Sequence, residues 1–220
     1  MILKTIQGGL FIVVDGPDGS GKTTQAELIR DYISEKGYKV IQTIEPGSPH
    51  CPECIEIRKW LQDPSIPKTH FQELEKYLLD RSIHTKEFME PKLEEDNIII
   101  CGRWVHATEV YQGYAGTIDI SYIQQENRKI TKKIMPRLKL SIFYDVSYET
   151  AMKRIRGERE NLSWMEQKGK RFFKKVEEGY RFLYENQKPP KRIYLIDGEP
   201  PAEKVWEKTR SLLEEKLKIS

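Results

Sequence analysis

The chain has 220 residues and a formal net charge of +3, with 37 Lys and Arg against 34 Asp and Glu. This length allows one large domain with a buried core, and the small net charge gives no indication of nucleic-acid binding. No apolar run is long enough to span a membrane. The three cysteines are too few for a disulfide framework, so we expect a cytoplasmic protein.

Apolar runs alternate with helical patterns along the chain. In chain order, the patterns predict a strand at 9–16, a helix at 22–36, a strand at 39–44, a helix at 71–90, a strand at 97–101, a helix at 118–135, a strand at 140–146, helices at 148–157 and about 168–187, a strand at 192–197 and a helix at 201–217. Continuous apolar strands separated by helices are typical of parallel sheets. We therefore predict one α/β domain over residues 1–220, a doubly wound parallel sheet with helices on both faces.

The first predicted strand leads into a glycine-rich loop. Its residues fit the pattern G-x-x-x-x-G-K-[ST]: Gly16, Pro17, Asp18, Gly19, Ser20, Gly21, Lys22 and Thr23. Glycines let backbone N–H groups surround phosphate oxygens beside the positive end of the helix dipole. Lys22 can reach a transferred phosphoryl group, and Thr23 can ligate Mg²⁺. The loop, with Thr24 after it, predicts ATP binding in a P-loop fold. It does not identify the reaction, because nucleotide-dependent switch proteins, motor proteins and kinases all carry this motif.

The stretch "FIVVDGPDGSGKTTQAELI" resembles the start of the thymidylate kinases, P-loop enzymes that phosphorylate dTMP with ATP. Similar pieces follow in order: "EPGSP" (45–49), "YLLDRSIH" (77–84), "GRWVHATEVYQG" (102–113), "FFKKVEEGY" (172–180) and "IDG" (196–198). Each piece alone is a weak signal, but their common order covers nearly the whole chain. The resemblance implies conversion of dTMP to dTDP with ATP and Mg²⁺, small nucleotides as partners, and a homodimer.

A kinase of this kind must hold two phosphate groups in line. By the resemblance, Arg81 and Arg103 clamp the acceptor phosphate, a role that suits the planar fork of arginine. The alternatives are a surface ion pair of Arg81 with Asp80 or Glu87 and an ion pair of Arg103 at the sheet edge. The resemblance implies that Tyr77 stacks on thymine, although a core aromatic is nearly as good an explanation. The resemblance also implies that the acceptor is contacted by Asp18, Glu45, Pro46, Thr108, Tyr111 and Gln112.

The basic stretch from Lys153 to Arg159 resembles the start of the family's lid, expected at about 153–168. Gly19 stands where some family members carry a P-loop arginine, so the lid should supply the arginine that stabilises the transferred phosphoryl group. Arg156 and Arg159 are the preferred candidates. Arg154 is expected to pack on the adenine ring. A solvated basic helix face would explain all three arginines equally simply.

Several positions depart from the family pattern, and Gly102 is the most consequential. The family carries an acid there beside Mg²⁺, whereas Gly102 has no side chain. Thr23, with the phosphates, and Asp15 and Glu45, through water, are the candidate magnesium contacts. Ile44 stands in place of a family arginine. We hypothesise an active enzyme with a rearranged magnesium environment; the alternatives are a kinase for another deoxynucleotide such as dUMP and a nucleotide-binding protein with weak or no catalysis.

The segment "HCPEC" brings His50, Cys51 and Cys54 close together, and Cys101 ends a predicted strand at the same sheet edge. These four residues could form a tetrahedral zinc site, and the C-x-x-C pair could be redox-active. A single C-x-x-C is a weak signal for either. We therefore favour inert thiols over a zinc site at Cys51 and Cys54.

Overall fold

Five parallel strands form one sheet in the computed structural model, which describes residues 3–158 and 162–217. The strands are β1 (Leu10–Asp15), β2 (Val40–Ile44), β3 (Ile98–Gly102), β4 (Leu138–Asp145) and β5 (Ile193–Asp197). Their spatial order is β2-β3-β1-β4-β5, and neighbouring strands pair in parallel. The predicted parallel α/β sheet is confirmed, and each predicted strand lies within two residues of its observed bounds.

Helices surround the sheet. They are α1 (Lys22–Glu35), α2 (Pro52–Gln62), α3 (His70–His84), α4 (Glu90–Glu94), α5 (Val105–Thr108), α6 (Ile120–Thr131), α7 (Tyr148–Glu158), α8 (Gly169–Glu185) and α9 (Ala202–Leu217). Single π-helical turns at Thr85–Met89 and Glu109–Tyr114 follow α3 and α5, and short 3₁₀ turns lie at Met135–Arg137 and Glu166–Lys168. In the described part of the chain, no helix is both long and apolar enough to cross a membrane.

The sequence patterns missed α2 and the helical segment that begins with α5. In α2, the sulfur of Cys51 caps the N-terminus and Pro52 occupies the first turn, where proline is a signal of a helix start. The buried residues Cys54, Ile57 and Leu61 follow at helical spacing. Charged residues between them obscure the helical pattern, and α5 has only four residues, too few for a periodic pattern.

The centre of the sheet is buried on both faces. All six residues of β1 are buried. On one face, the strand packs with Ile29 of α1 and Val205 of α9. On the other face, Phe11 packs with Leu93 of α4 and lies 4.8 Å, ring to ring, from Trp104. This arrangement explains why the strands read as continuous apolar runs.

The carboxyl ends of β1 and β3 lie side by side, with Val14 paired to Gly102. The backbone N–H of Arg103 donates to the carbonyl of Val14 at 2.9 Å, and that of Glu45 donates to the carbonyl of Gly102 at 2.8 Å. The loops after β1, β2 and β3 therefore meet at one edge of the sheet, which is where open α/β sheets bind ligands.

Candidate active site

A cleft of about 270 Å³ opens at this edge. It is lined by residues from the glycine-rich loop, the loops after β2 and β3, and helices α2, α3 and α7. Among the predicted site residues, those that line it are Asp18, Gly19, Lys22, Thr23, Glu45, Pro46, Tyr77, Arg81, Arg103, Thr108, Tyr111 and Gln112. The structure thus brings residues that are almost 100 positions apart in the chain into one cavity of the size that binds small molecules.

The glycine-rich loop has the backbone that a phosphate-binding loop needs. Gly16, Gly19 and Gly21 all have positive φ values, between 76° and 141°. Gly19 has a second constraint, because a Cβ added there would lie 2.5 Å from the carbonyl oxygen of Ala151 in α7. Since α7 approaches this closely, an arginine at position 19 is excluded here for steric reasons.

Lys22 begins α1 and points back over the loop. Its Nζ donates to the carbonyl oxygen of Pro17 at 3.1 Å and lies 3.4 Å from Asp18 Oδ1. Burial, together with the nearby guanidinium of Arg103, lowers the pKa of Lys22 to about 8, although Asp18 and Asp15 oppose that shift. The ammonium group is therefore held in a site that lacks enough negative charge, as expected for a site that receives phosphates.

Arg103 links the glycine-rich loop to the cleft. Its φ of 65° is rare for a residue with a side chain. The guanidinium binds Asp18 Oδ1 at 2.6 Å and donates to the carbonyl of Gly16 at 3.0 Å. It also lies 5.2 Å from the ring centre of Tyr111. Burial alone would raise the pKa of Asp18, but the charges of Arg103 and Lys22 outweigh it and lower that pKa.

Arg81 of α3 lines the cleft and is only 2% exposed. Its Nε donates to Glu45 Oε2 at 2.8 Å, and its Nη1 donates to Asn127 Oδ1 at 2.7 Å and to Thr108 Oγ1 at 3.3 Å. The alternative of a surface ion pair with Asp80 or Glu87 is therefore wrong. Three partners from different elements, Glu45, Thr108 and Asn127, fix one polar group in the cleft wall.

Glu45 holds this arginine in place. Its second carboxylate oxygen, Oε1, lies 3.0 Å from Nδ1 of the buried His84, whose Nε2 lies 2.9 Å from Thr43 Oγ1. Both oxygens of Glu45 are committed to these partners. The structure therefore does not support the expectation that Glu45 binds magnesium through water, because its carboxylate serves to position Arg81.

Asp15 fits a magnesium environment better than Glu45 does. Its Oδ1 accepts from the N–H of Gly16 at 2.9 Å and from the hydroxyl of Tyr180 at 2.7 Å. Its Oδ2 is buried and has no hydrogen-bond partner among the described residues. Burial raises the pKa of Asp15, against the pull of Arg103. Residues 3–158 and 162–217 contain no cluster of three or more His, Cys, Asp or Glu suited to hold a metal.

Gly102 has room for a side chain. A Cβ built on it would lie 3.4 Å from Cγ1 of Ile44, an ordinary contact distance, with no backbone closer than 3.8 Å. Ile44 and Gly102 are partners in the register of β2 and β3. The two positions that lack the family's arginine and acid are thus direct neighbours in the sheet.

Arg58 of α2 is a cleft residue that the sequence analysis missed. Its Nη1 donates to the carbonyl oxygen of Pro46 at 2.7 Å, and its aliphatic part covers Gly47, which has no room for a Cβ. Burial and the charge of Arg103 lower the pKa of Arg58. Arg58 therefore brings a guanidinium to the cleft, whereas Ile44, which stands in place of a family arginine, brings none. Only the packing of the unpredicted α2 reveals it.

The predicted lid arginines are placed differently from one another. Arg154 donates to the carbonyl oxygens of Gly19 and Gly198 at 3.3 and 2.9 Å, so it ties α7 to the glycine-rich loop and to the loop after β5. Arg156 is exposed and does not line the cleft. Its neighbour Ile155 faces the cleft, and successive helical residues point about 100° apart. Arg159 lies outside the described residues.

The cysteines form no metal site. Cys51 and Cys54 are joined by a disulfide bond, so the expectation of two inert thiols is wrong. Cys101 is buried and its thiol contacts the carbonyl oxygen of Arg103 at 3.1 Å. His50 stacks on Phe88, with ring centres 4.1 Å apart. Of the candidate zinc ligands, two are therefore bonded to each other and the other two have separate partners.

Asp80 is a second acid that the structure buries beside the cleft. It is 1% exposed. Its Oδ1 accepts from the backbone N–H of Gly47 at 2.9 Å, and its Oδ2 is buried without a partner among the described residues. Burial and the negative charge of Glu45 raise the pKa of Asp80 to about 7.

This shift predicts how stability depends on pH. Since the folded chain favours protonated Asp80, the stability linked to this carboxyl is present at low pH and is lost as pH rises from about 4 to about 7. Asp80→Asn should therefore raise the melting temperature, relative to the parent chain, more at pH 8 than at pH 4.5. Asp197→Asn, at an exposed position, is the control. Equal differences at both pH values would contradict the shift.

Comparisons with known proteins agree with this geometry. A model of the thymidylate kinase family matches residues 14–209. The thymidylate kinase of Geotalea daltonii is 36% identical over 197 residues, which cover 86% of this chain and 89% of that protein. That of Trichormus variabilis is 33% identical over 213 residues, covering 96% and 98%. The crystal structure of thymidylate kinase from Ehrlichia chaffeensis superposes with a TM-score of 0.71 at 28% identity, covering 94% of this chain and 99% of that one.

Proposed function

The chain belongs to the thymidylate kinase family, and we propose that it transfers the γ-phosphoryl group of ATP to the phosphate of dTMP, giving ADP and dTDP. The observation that carries this proposal is the position of Arg103. Its guanidinium contacts Asp18 and Gly16 of the glycine-rich loop while lining the cleft beside it. One cation is thereby available to both a donor and an acceptor phosphate.

The loop binds the donor. Backbone N–H groups of residues 18–24 and the N-terminus of α1 surround the ATP phosphates. Lys22 needs little movement to leave Asp18 and Pro17 and reach the transferred group. Phosphoryl transfer depends mainly on positioning and on charge stabilisation, so these contacts, with Arg103, supply the main protein contribution.

The cleft binds the acceptor. Arg103 contacts the glycine-rich loop and Arg58 lines the same cleft, and we assign both to the dTMP phosphate, which must lie near the loop for in-line transfer. Tyr77 contributes its ring to the wall one helical turn before Arg81. We assign Arg81, fixed by Glu45, to the far end of the nucleotide, where its rigid donors suit a carbonyl oxygen of the base better than a phosphate.

Mg²⁺ would bind the ATP phosphates with Thr23, and would supply charge neutralisation for the β- and γ-oxygens. Asp15 is the residue that fits its water shell, because its Oδ2 is buried without a protein partner among the described residues.

The organisation of the protein follows the family in our proposal: one cytoplasmic kinase domain with a lid at about 153–168, assembled as a homodimer. Exposed apolar side chains on α2, α3 and α6 support a dimer. They are Ile55, Phe71, Leu79 and Tyr122, and the rings of Phe71 and Tyr122 stack at 6.3 Å. An exposed cluster of this kind is typical of a subunit interface.

An acceptor panel tests the function. With ATP and Mg²⁺, chromatography should show dTDP formed from dTMP with a higher kcat/KM than for dUMP, dCMP or ribosyl thymidine monophosphate. Arg103→Lys should lower kcat/KM for dTMP by about 100-fold, because a single ammonium cannot reproduce the guanidinium fork. A preference for dUMP, or ATP binding without turnover of any acceptor, would contradict the proposal.

Gly102 supplies a test of the magnesium environment. Because the position has room for a side chain, Gly102→Asp adds a carboxylate beside the donor site without displacing the backbone. We expect the Mg²⁺ concentration for half-maximal rate to fall by about threefold or more. Gly102→Asn, which has the same shape without the charge, should leave it unchanged. Identical magnesium dependence for both variants and the parent would contradict any contribution of an acid at position 102 to Mg²⁺ binding.

A further inference from the structure

The roof of the acceptor cleft is built by residues 162–168, which we call the roof segment. Ser163, Trp164, Met165 and Glu166 from this segment line the cavity together with Tyr77. Trp164 is half-buried and faces the same space as the acceptor residues.

A buried acid, Glu73 of α3, holds the roof segment. Its Oε1 accepts from Trp164 Nε1 at 2.6 Å and from Lys168 Nζ at 3.1 Å. Its Oε2 accepts from Gln112 Nε2 at 3.3 Å. Glu73 is 1% exposed, and it lies one turn before Tyr77 on the helix that also carries Arg81. One carboxylate therefore joins the roof segment to two elements of the acceptor cleft.

The indole is also held from its faces. Lys68 Nζ lies 4.9 Å from the ring centre of Trp164, and Lys168 Nζ lies 5.6 Å from it. Cations over an indole ring are attracted to its negative face. The position of Trp164 is thus fixed by one charge-assisted hydrogen bond and two cation–π contacts.

Glu73 therefore keeps its contacts with Trp164 and Lys168 only while the roof segment lies over the cleft. A buried carboxylate is costly unless it is paired and hydrogen-bonded. If the roof segment moved away, Glu73 would lose both Trp164 and Lys168 and would keep only the neutral Gln112. A ligand that fills the cleft and contacts the indole would stabilise the closed arrangement.

We propose that Trp164 is an acceptor-contacting residue, whose indole closes over the acceptor nucleotide, and that Glu73 is the positioning residue that holds it there. This inference rests on the proposed function, because it assigns a role within the same reaction. It differs from a general lid movement in placing the closing contact on the acceptor side, through α3, and not on ATP.

The test compares Trp164→Phe and Trp164→Ala with Trp206→Phe. Trp206 packs against Tyr32, away from the cleft, and serves as the matched control. We expect the KM for dTMP to rise by about tenfold in Trp164→Ala, with the KM for ATP changed by less than about twofold, because only the acceptor contact is lost. Trp164→Phe should give a smaller rise. Glu73→Gln, which can still accept from the indole but cannot pair with Lys168, should also raise only the KM for dTMP.

Tryptophan fluorescence gives a readout that does not depend on turnover. Titration with dTMP alone should change the emission of the parent chain and of Trp206→Phe, and the change should be clearly smaller in Trp164→Phe, where Trp104 is the tryptophan that still lines the cleft. Parent-like KM and fluorescence responses in both Trp164 variants, with the parent active on dTMP, would overturn this inference alone. A parent chain that neither binds nor phosphorylates dTMP would overturn the proposed function and this inference with it. Melting temperatures within a few degrees of the parent would confirm that each variant is folded.

Discussion

The ion pair between Arg103 and Asp18 is the contact on which the site depends. It joins the loop after β1 to the loop after β3, and its 2.6 Å length places the guanidinium between the donor loop and the acceptor cleft. The left-handed backbone of Arg103 makes this possible, because it turns the chain out of β3 and aims the side chain back over Gly16. Lys22 and Tyr111 are both within reach of the same pair, so removing it would disturb both halves of the site.

The departures from the family pattern are connected in space. Ile44 and Gly102 are register partners in β2 and β3. The expected arginine and the expected acid are therefore missing from neighbouring positions, so the loss of one positive charge accompanies the loss of one negative charge. Arg58 brings a guanidinium to the cleft from α2. In the roof segment, Trp164 brings an indole ring to the cleft and is held there by Glu73. These changes suggest a site with the same overall charge but a different distribution of contacts.

The sequence was sufficient for what local patterns determine. The strands and the glycine-rich loop were predictable because apolar runs and fixed motif spacing act over a few residues, whereas most other cleft residues were expected from the resemblance to the thymidylate kinases. Contacts between distant elements were not predictable. Arg58 and Asn127 reach Pro46 and Arg81 only through helix packing, and the commitment of Glu45 to Arg81 and His84 follows from burial of all three. A catalytic role for Arg156 stays a prediction, and the orientation of α7, which turns Ile155 and not Arg156 towards the cleft, could not be read from the sequence.

The central claim is that donor and acceptor phosphates converge on Arg103. Calorimetric binding of a bisubstrate compound, adenosine and thymidine joined 5′ to 5′ through five phosphates, tests it most directly. We predict a Kd about 100-fold or more below that of ATP or dTMP alone, because one molecule would fill two adjacent sites, and loss of most of that gain in Arg103→Ala. A bisubstrate compound that binds no more tightly than ATP would contradict the account.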